Sequence, residues 1–89
     1  MKRVKITVAG RVQGVNFRWA AQRQAQKLGL AGFVRNQPDG TVYIEAEGAA
    51  ETLEQFLQWC HRGPSSAKVE AVVMAEASPV GDQDFEIRY

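Results

Sequence analysis

The residues that could do chemistry are concentrated in one stretch, Gly10-Arg11-Val12-Gln13-Gly14-Val15-Asn16-Phe17-Arg18, which holds two glycines, two arginines and no Asp or Glu. It follows a run that alternates like a strand (Val4, Ile6, Val8) and precedes a run that repeats like a helix. A short loop between a strand and a helix aims several backbone N–H groups into one concavity. Those donors, with the positive end of the helix dipole, favour an anion. Arg18 falls at or near the first helical turn, where a cation is disfavoured by a few tenths of a kcal/mol or more. An arginine set against the dipole, beside free N–H donors, makes sense when an anion sits between them. The stretch therefore reads as a phosphate cradle. Glycines serving turn geometry alone, with a surface arginine beside them, are the plainer reading of the same pattern.

The elements that position this loop come from a chain of 89 residues, short enough to predict one domain, residues 1–89, with one modest core. The content is 45% hydrophobic and 24% charged, which argues for a folded globular chain rather than a disordered one. The net charge of +1 gives no bulk field pointing to nucleic acid or a membrane surface. Locally, Lys2, Arg3, Lys5, Arg11 and Arg18 gather positive charge in the first fifth of the chain, which could steer a small anion. The single cysteine, Cys60, excludes an internal disulfide and an all-cysteine zinc site. No apolar run approaches the roughly 18–20 residues of a membrane span. The charged N-terminus has no apolar stretch behind it, so the expected location is the cytoplasm.

Residues 3–9 predict a half-buried strand with Val4, Ile6 and Val8 inward. Phe17, Ala21, Ala25 and Leu28 make one helical face, closed by Gly29 as a left-handed cap. A strand over 31–36, a turn at Pro38-Asp39-Gly40 and a strand over 41–47 predict a hairpin, with Tyr43, Glu45 and Glu47 facing away from the core. Leu53, Phe56, Leu57 and Cys60 predict a second helix near 50–62, stopped by Gly63-Pro64. A fourth strand near 68–76 does not choose one face, which points to a bulge; a loop over Pro79 to Asp84 and a short last strand (Phe85, Ile87, Tyr89) follow.

Two helices of about three turns cannot cover both faces of such a sheet, so they should share one face. The expected architecture is α+β, a ferredoxin-like split βαβ sandwich with a mostly antiparallel sheet of 4–5 strands. In it the first and second strands run parallel with the third between them, and their C-terminal ends lie at one edge. Two strand spacings are roughly 10 Å, so Asn36, at the end of the second strand, reaches the neighbourhood of the loop. If Val34 packs under the helices, Asn36 points towards the start of the first helix. On its own, Asn before Pro-Asp-Gly is an ordinary turn residue.

Two segments carry a resemblance. Gly10 to Arg18 is similar to the acylphosphatase loop signature, and Gly32-Phe33-Val34-Arg35-Asn36 with Asp39-Gly40-Thr41-Val42 is similar to that family's second segment. Length, element order and the Gly63-Pro64 stop also resemble the family. The resemblance implies hydrolysis of an acyl phosphate to a carboxylate and inorganic phosphate, with no cofactor and no metal. It implies that Arg18 binds the phosphate and that Asn36 positions the attacking water.

The chemistry is compatible with so small a set of residues. The leaving carboxylate is a weak base, pKa about 4 to 5, and departs without a general acid. Phosphoryl transfer wants charge stabilisation and alignment. Backbone amides of Gln13, Gly14, Val15, Asn16, Phe17 and Arg18 can hold the equatorial oxygens, and the Arg18 guanidinium can grip two of them. Asn36 can hold a water in line as both donor and acceptor. The partners expected are the small-molecule acyl phosphate and its phosphate product, with no nucleic acid, no membrane and a monomeric chain. Val12 stands where a cysteine phosphatase carries its nucleophile, so no phosphoenzyme forms there. Cys60 is expected to be a buried thiol and His61 a solvated helix-end residue. A non-catalytic phosphate-sensing or regulatory domain is the alternative. RNA binding fits poorly, because residues 41–47 offer one aromatic and two acids.

Overall fold

The computed structural model describes residues 1–89. Its elements are β1 (Lys2–Arg11), α1 (Phe17–Lys27), β2 (Ala31–Asn36), β3 (Val42–Gly48), α2 (Ala50–Cys60), β4 (Lys68–Ala77) and β5 (Phe85–Arg88). One sheet runs in the order β4-β1-β3-β2-β5. β1 pairs antiparallel with both β3 and β4, β3 antiparallel with β2, and β5 parallel with β2. With both helices on one face this is the ferredoxin-like α+β fold, carrying a fifth strand at its β2 edge. β1 and β2 are parallel through the shared β3, so their C-terminal ends meet at one edge of the sheet.

Alternation decides what is buried. Ile6 and Val8 of β1, Val34 of β2 and Val42 and Ile44 of β3 are fully enclosed, packed against Phe17, Ala21 and Ala25 of α1 and Phe56 and Cys60 of α2. α1 ends as its residues dictate. Gly29 takes φ 71°, the Leu30 amide donates to the Ala25 carbonyl and the Gly29 amide to Gln26, the paired-bond termination that a left-handed glycine permits. α2 is two residues shorter than the expected 50–62, because His61 to Gly63 already turn back on Leu57 and Trp59.

The ambiguous fourth strand resolves through a bulge. Ala9 faces Ala71 but Gly10 faces Val69, leaving Glu70 extra. Val72 and Val69 then share the helix-side face despite their odd spacing, while Val73 turns outward. Gly10 sits opposite the bulge at φ 125°, and a Cβ there would collide with the Lys68 carbonyl oxygen. The bulge thus adjoins the start of the signature loop and re-aims the chain into it.

The face away from the helices departs from expectation at one end. Arg3, expected among the cations able to steer an anion, is only 4% exposed. Its Nε donates to Glu45 Oε1 at 2.8 Å, and its Nη1 to Glu47 Oε1 and Asp82 Oδ2, both at 3.1 Å. Glu47, expected on an open face, is buried because the loop after β4 folds over it: the Val80 and Gly81 amides donate to its carboxylate at 2.8 and 3.0 Å. The bond from the Val80 amide, with those from Gly81 and Arg3, holds the Glu47 carboxyl below the usual carboxylate range. Burial pushes the Glu45 carboxyl upward, but hydrogen bonds from Tyr43 and Arg3 outweigh it and leave it lowered. Burial, and then the bond it donates to Glu45, push the Tyr43 phenol up to about 12.

Groups with lowered folded-state values stabilise the chain fully above the ordinary range near 4.5 and lose that contribution as the pH falls through the folded values. Arg3→Met removes the cation and leaves the carboxylates facing one another. It is expected to cost about 3 kcal/mol at pH 7, a deficit that shrinks towards pH 4 as the carboxylates protonate. Urea unfolding of both proteins at the two pH values reads this directly.

Candidate active site

The loop between β1 and α1 is built from two left-handed residues separated by one, Gly14 at φ 73° and Asn16 at φ 64°. Glycine takes that conformation freely, and asparagine is the ordinary residue best able to follow it. Alternating handedness turns successive N–H groups towards one side, the geometry of an anion nest. Asn16 is also the N-cap of α1, yet its side chain makes no capping bond and the first turn holds no acid. The first bond of the helix runs from the Ala20 amide to the Asn16 carbonyl. No backbone N–H from Gln13 to Arg18 finds an acceptor in the protein. Six donors at the positive end of a helix dipole are left for something else.

What holds the loop open is side-chain chemistry. Val12 and Phe17 anchor its ends in the core, each 1% exposed. Gly63 lies against the Phe17 ring, where a Cβ would come within 2.7 Å of Cε2. Ser66 Oγ donates to the Val15 carbonyl at 2.7 Å, tying the loop to the segment after α2. The Gln13 carboxamide donates through Nε2 to the carbonyls of Gln37 and Thr41, at 2.8 and 2.9 Å. Those carbonyls flank the β2–β3 turn, so Gln13 clamps the loop to the strand end that carries Asn36.

Arg18 and Asn36 line one cleft of about 180 Å³, together with Gly14, Asn16, Trp19 and Tyr89. The Arg18 guanidinium lies over the Tyr89 ring, 4.7 Å from its centroid, which supports one flat face and leaves its N–H edges free. Asn36 Oδ1 is buried and has no hydrogen-bond partner. A buried acceptor left unmade costs about 1–3 kcal/mol. The cleft is lined by no Asp, Glu, His, Cys or Lys side chain. Cys60 is enclosed in the core, and burial raises its thiol. His61 is exposed at the end of α2, with Nδ1 2.9 Å from the Leu57 carbonyl. Neither reaches the cleft. No group of three His, Cys, Asp or Glu side chains gathers as a metal site.

The model of the acylphosphatase family matches residues 4–87. The chain belongs to the acylphosphatase family. It is 48% identical over 85 residues to the acylphosphatase of Nocardioides sp., covering 96% of this chain and 86% of that one. It is 51% identical over 82 residues to that of Methylococcus capsulatus, covering 92% and 89%. The crystal structure of acylphosphatase from Bacillus subtilis superposes with a TM-score of 0.97 at 41% identity, covering both chains completely. The protein is thus a hydrolase of the acylphosphatase type.

Three contributors to this acylphosphatase site escape sequence reasoning: the Gln13 side chain, the Ser66 hydroxyl and the Tyr89 ring. Gln13 stands in the signature, but its side chain has no visible partner until the turn 24 and 28 residues away is placed beside it. Gln13→Glu would set a carboxylate against two carbonyl oxygens. It is expected to lower kcat about tenfold at pH 7 by loosening the strand end. Relative to the parent enzyme, activity should recover as the pH falls and the acid regains one O–H donor, whereas Gln13→Met should show no such recovery. The kcat ratio to the parent enzyme from pH 4 to 8 reads the difference.

Proposed function

We propose that residues 1–89 form a single acylphosphatase domain that hydrolyses acyl phosphates without a covalent intermediate. The loop amides from Gln13 to Arg18 hold the equatorial phosphate oxygens, and Arg18 grips two of them through its N–H edges. Asn36 holds a water through its carboxamide, as donor and acceptor, and turns the water's lone pair towards phosphorus. The P–O bond to water forms as the P–O bond to the acyl group breaks. The acyl carboxylate leaves with the electron pair, and the water's proton passes to a phosphate oxygen of the substrate.

The observation that carries this reading is that Asn36, whose Oδ1 has no partner in the protein, lines the same cleft as Arg18. A phosphate-sensing domain would need the amides and Arg18 but would gain nothing from a carboxamide beside them. A loose transition state with a weakly basic leaving group asks for charge stabilisation and alignment, which these groups supply.

The deciding experiment is turnover of benzoyl phosphate by the purified chain with a metal chelator present, and inhibition by inorganic phosphate. Hydrolysis that is competitively inhibited by phosphate is the expected result. Phosphate binding without turnover would favour the sensing domain. With no titrating enzyme base in the cleft, the rate should show no enzyme-derived rise near neutrality. A steep dependence on such a group would contradict proton transfer to the substrate.

A further inference from the structure

Resting on that reading, we infer that Trp19 and Arg23 form a subsite for the acyl half of the substrate, suited to acyl groups with an apolar, planar body ending in a second anion. Trp19 follows Arg18 directly and is 54% exposed, an unusual position for an indole that no other ring packs against. It lines the phosphate cleft and also a shallow groove of about 590 Å³ along α1. It is the one residue common to both, so it forms the wall that a substrate crosses on leaving the cradle. Helical side chains lean towards the helix N-terminus, which brings the indole over the turn that carries Arg18.

The charge along this path has one sign. α1 contains Arg18, Arg23 and Lys27 and no acid, and the groove has no carboxylate in its lining. Arg23 makes no ion pair; its guanidinium lies 4.8 Å from the centre of the Trp19 ring. The stack holds the guanidinium over one face of the indole, leaving the other face for a substrate ring and the guanidinium N–H edges for an anion. Trp19 and Arg23 are an i, i+4 pair on one face of α1, so the path from the cleft to Arg23 runs along the indole. A phosphate seated at Arg18 thus places a ring against Trp19 and a para carboxylate at Arg23.

The test compares benzoyl phosphate with 4-carboxybenzoyl phosphate, which differ only in that carboxylate. At low ionic strength the parent enzyme should show a KM for the carboxylated substrate about fivefold lower, the size of a good solvent-exposed charge pair. The preference should fall towards unity in 0.5 M NaCl, where the screening length is only about 4 Å. Arg23→Gln should abolish the preference, and Trp19→Ala should raise the KM for both substrates, with thermal melts confirming that each variant is folded. Equal KM values in the parent enzyme, or a preference that survives Arg23→Gln, would overturn the subsite. Failure to hydrolyse either substrate would instead overturn the catalytic reading beneath it, so the two failures are distinct.

Discussion

Arg18→Ala is expected to lower kcat/KM by about a thousandfold and to abolish inhibition by inorganic phosphate, while leaving the fold intact. The size follows from the charge it meets. An arginine placed on the equatorial oxygens of a transferring phosphoryl group is worth about 10³–10⁵ in rate, and here it is the only cationic side chain in the cleft. The amides from Gln13 to Arg18 remain, so the variant should keep a small residual rate. Stability separates this from a general loss of structure. Arg18 sits in the first turn of α1 against the dipole, a cost of a few tenths of a kcal/mol that truncation relieves. The contact with Tyr89 that is lost is worth about 0.5–1 kcal/mol. The two nearly cancel, so urea unfolding should shift by less than about 0.5 kcal/mol. Arg18→Lys keeps the charge and loses the planar fork, and it should recover phosphate binding more than turnover. A strong activity in Arg18→Ala would show that the amides alone hold the phosphate.

How far the molecule can be read from its sequence depends on whether a residue's role is local. β1 and β3 alternate because one face meets the helices, and the stripe of Phe17, Ala21 and Ala25 needs only helical geometry. Such elements are visible without knowing what they touch. Arg3 is the opposite case. Alternation puts it on the face away from the helices, and it lies there. Nothing in its neighbours says that Asp82, 79 residues on, will come down over it and that Glu47 will be sealed by the Val80 and Gly81 amides. The face was predictable; its burial was a property of a distant loop. β4 is intermediate. Its apolar residues conflict over a face until one residue, Glu70, is removed from the register, and alternation signals that conflict without locating it.

The site divides along the same line. Gly14 advertises turn geometry by type, and Arg18 advertises an anion by its position against a dipole, whereas the left-handed backbone of Asn16 is seen only in the structure. The parallel course of β1 and β2 brings the end of β2 to the loop, and Asn36 lines the cleft with Arg18. The devices that hold these groups are long-range bonds from ordinary residues: the Gln13 carboxamide on the β2–β3 turn, the Ser66 hydroxyl on Val15, the Tyr89 ring on Arg18. None of these residue types in its local sequence implies its partner. The distinction has a mechanistic side. The groups legible in sequence are the ones proposed to meet the substrate, and the illegible ones hold the cradle against the strand end that carries the carboxamide. Catalysis by alignment is sensitive to errors of about 1 Å in that distance.

Asn36→Ala is expected to lower kcat about a hundredfold or more while KM and the inhibition constant for phosphate stay within about twofold, because alignment of water acts on the chemical step alone. Its effect on stability should run the other way. Oδ1 is a buried acceptor with no partner in the protein, and deleting it removes a cost of about 1–3 kcal/mol, offset in part by the small cavity left behind. The variant should therefore unfold at equal or higher urea concentration than the parent, the pattern of a residue kept for reaction at the expense of the fold. Asn36→Asp separates the acceptor from the charge. It preserves the shape and the acceptor oxygens but sets a carboxylate beside the phosphate, so both kcat and phosphate affinity should fall, and phosphate affinity should return as the carboxylate protonates at low pH. Steady-state kinetics on the three proteins, with phosphate inhibition measured from pH 4 to 8, distinguishes these outcomes. A near-normal kcat for Asn36→Ala would remove the carboxamide from the reaction and leave the amides and Arg18 as its whole catalytic apparatus.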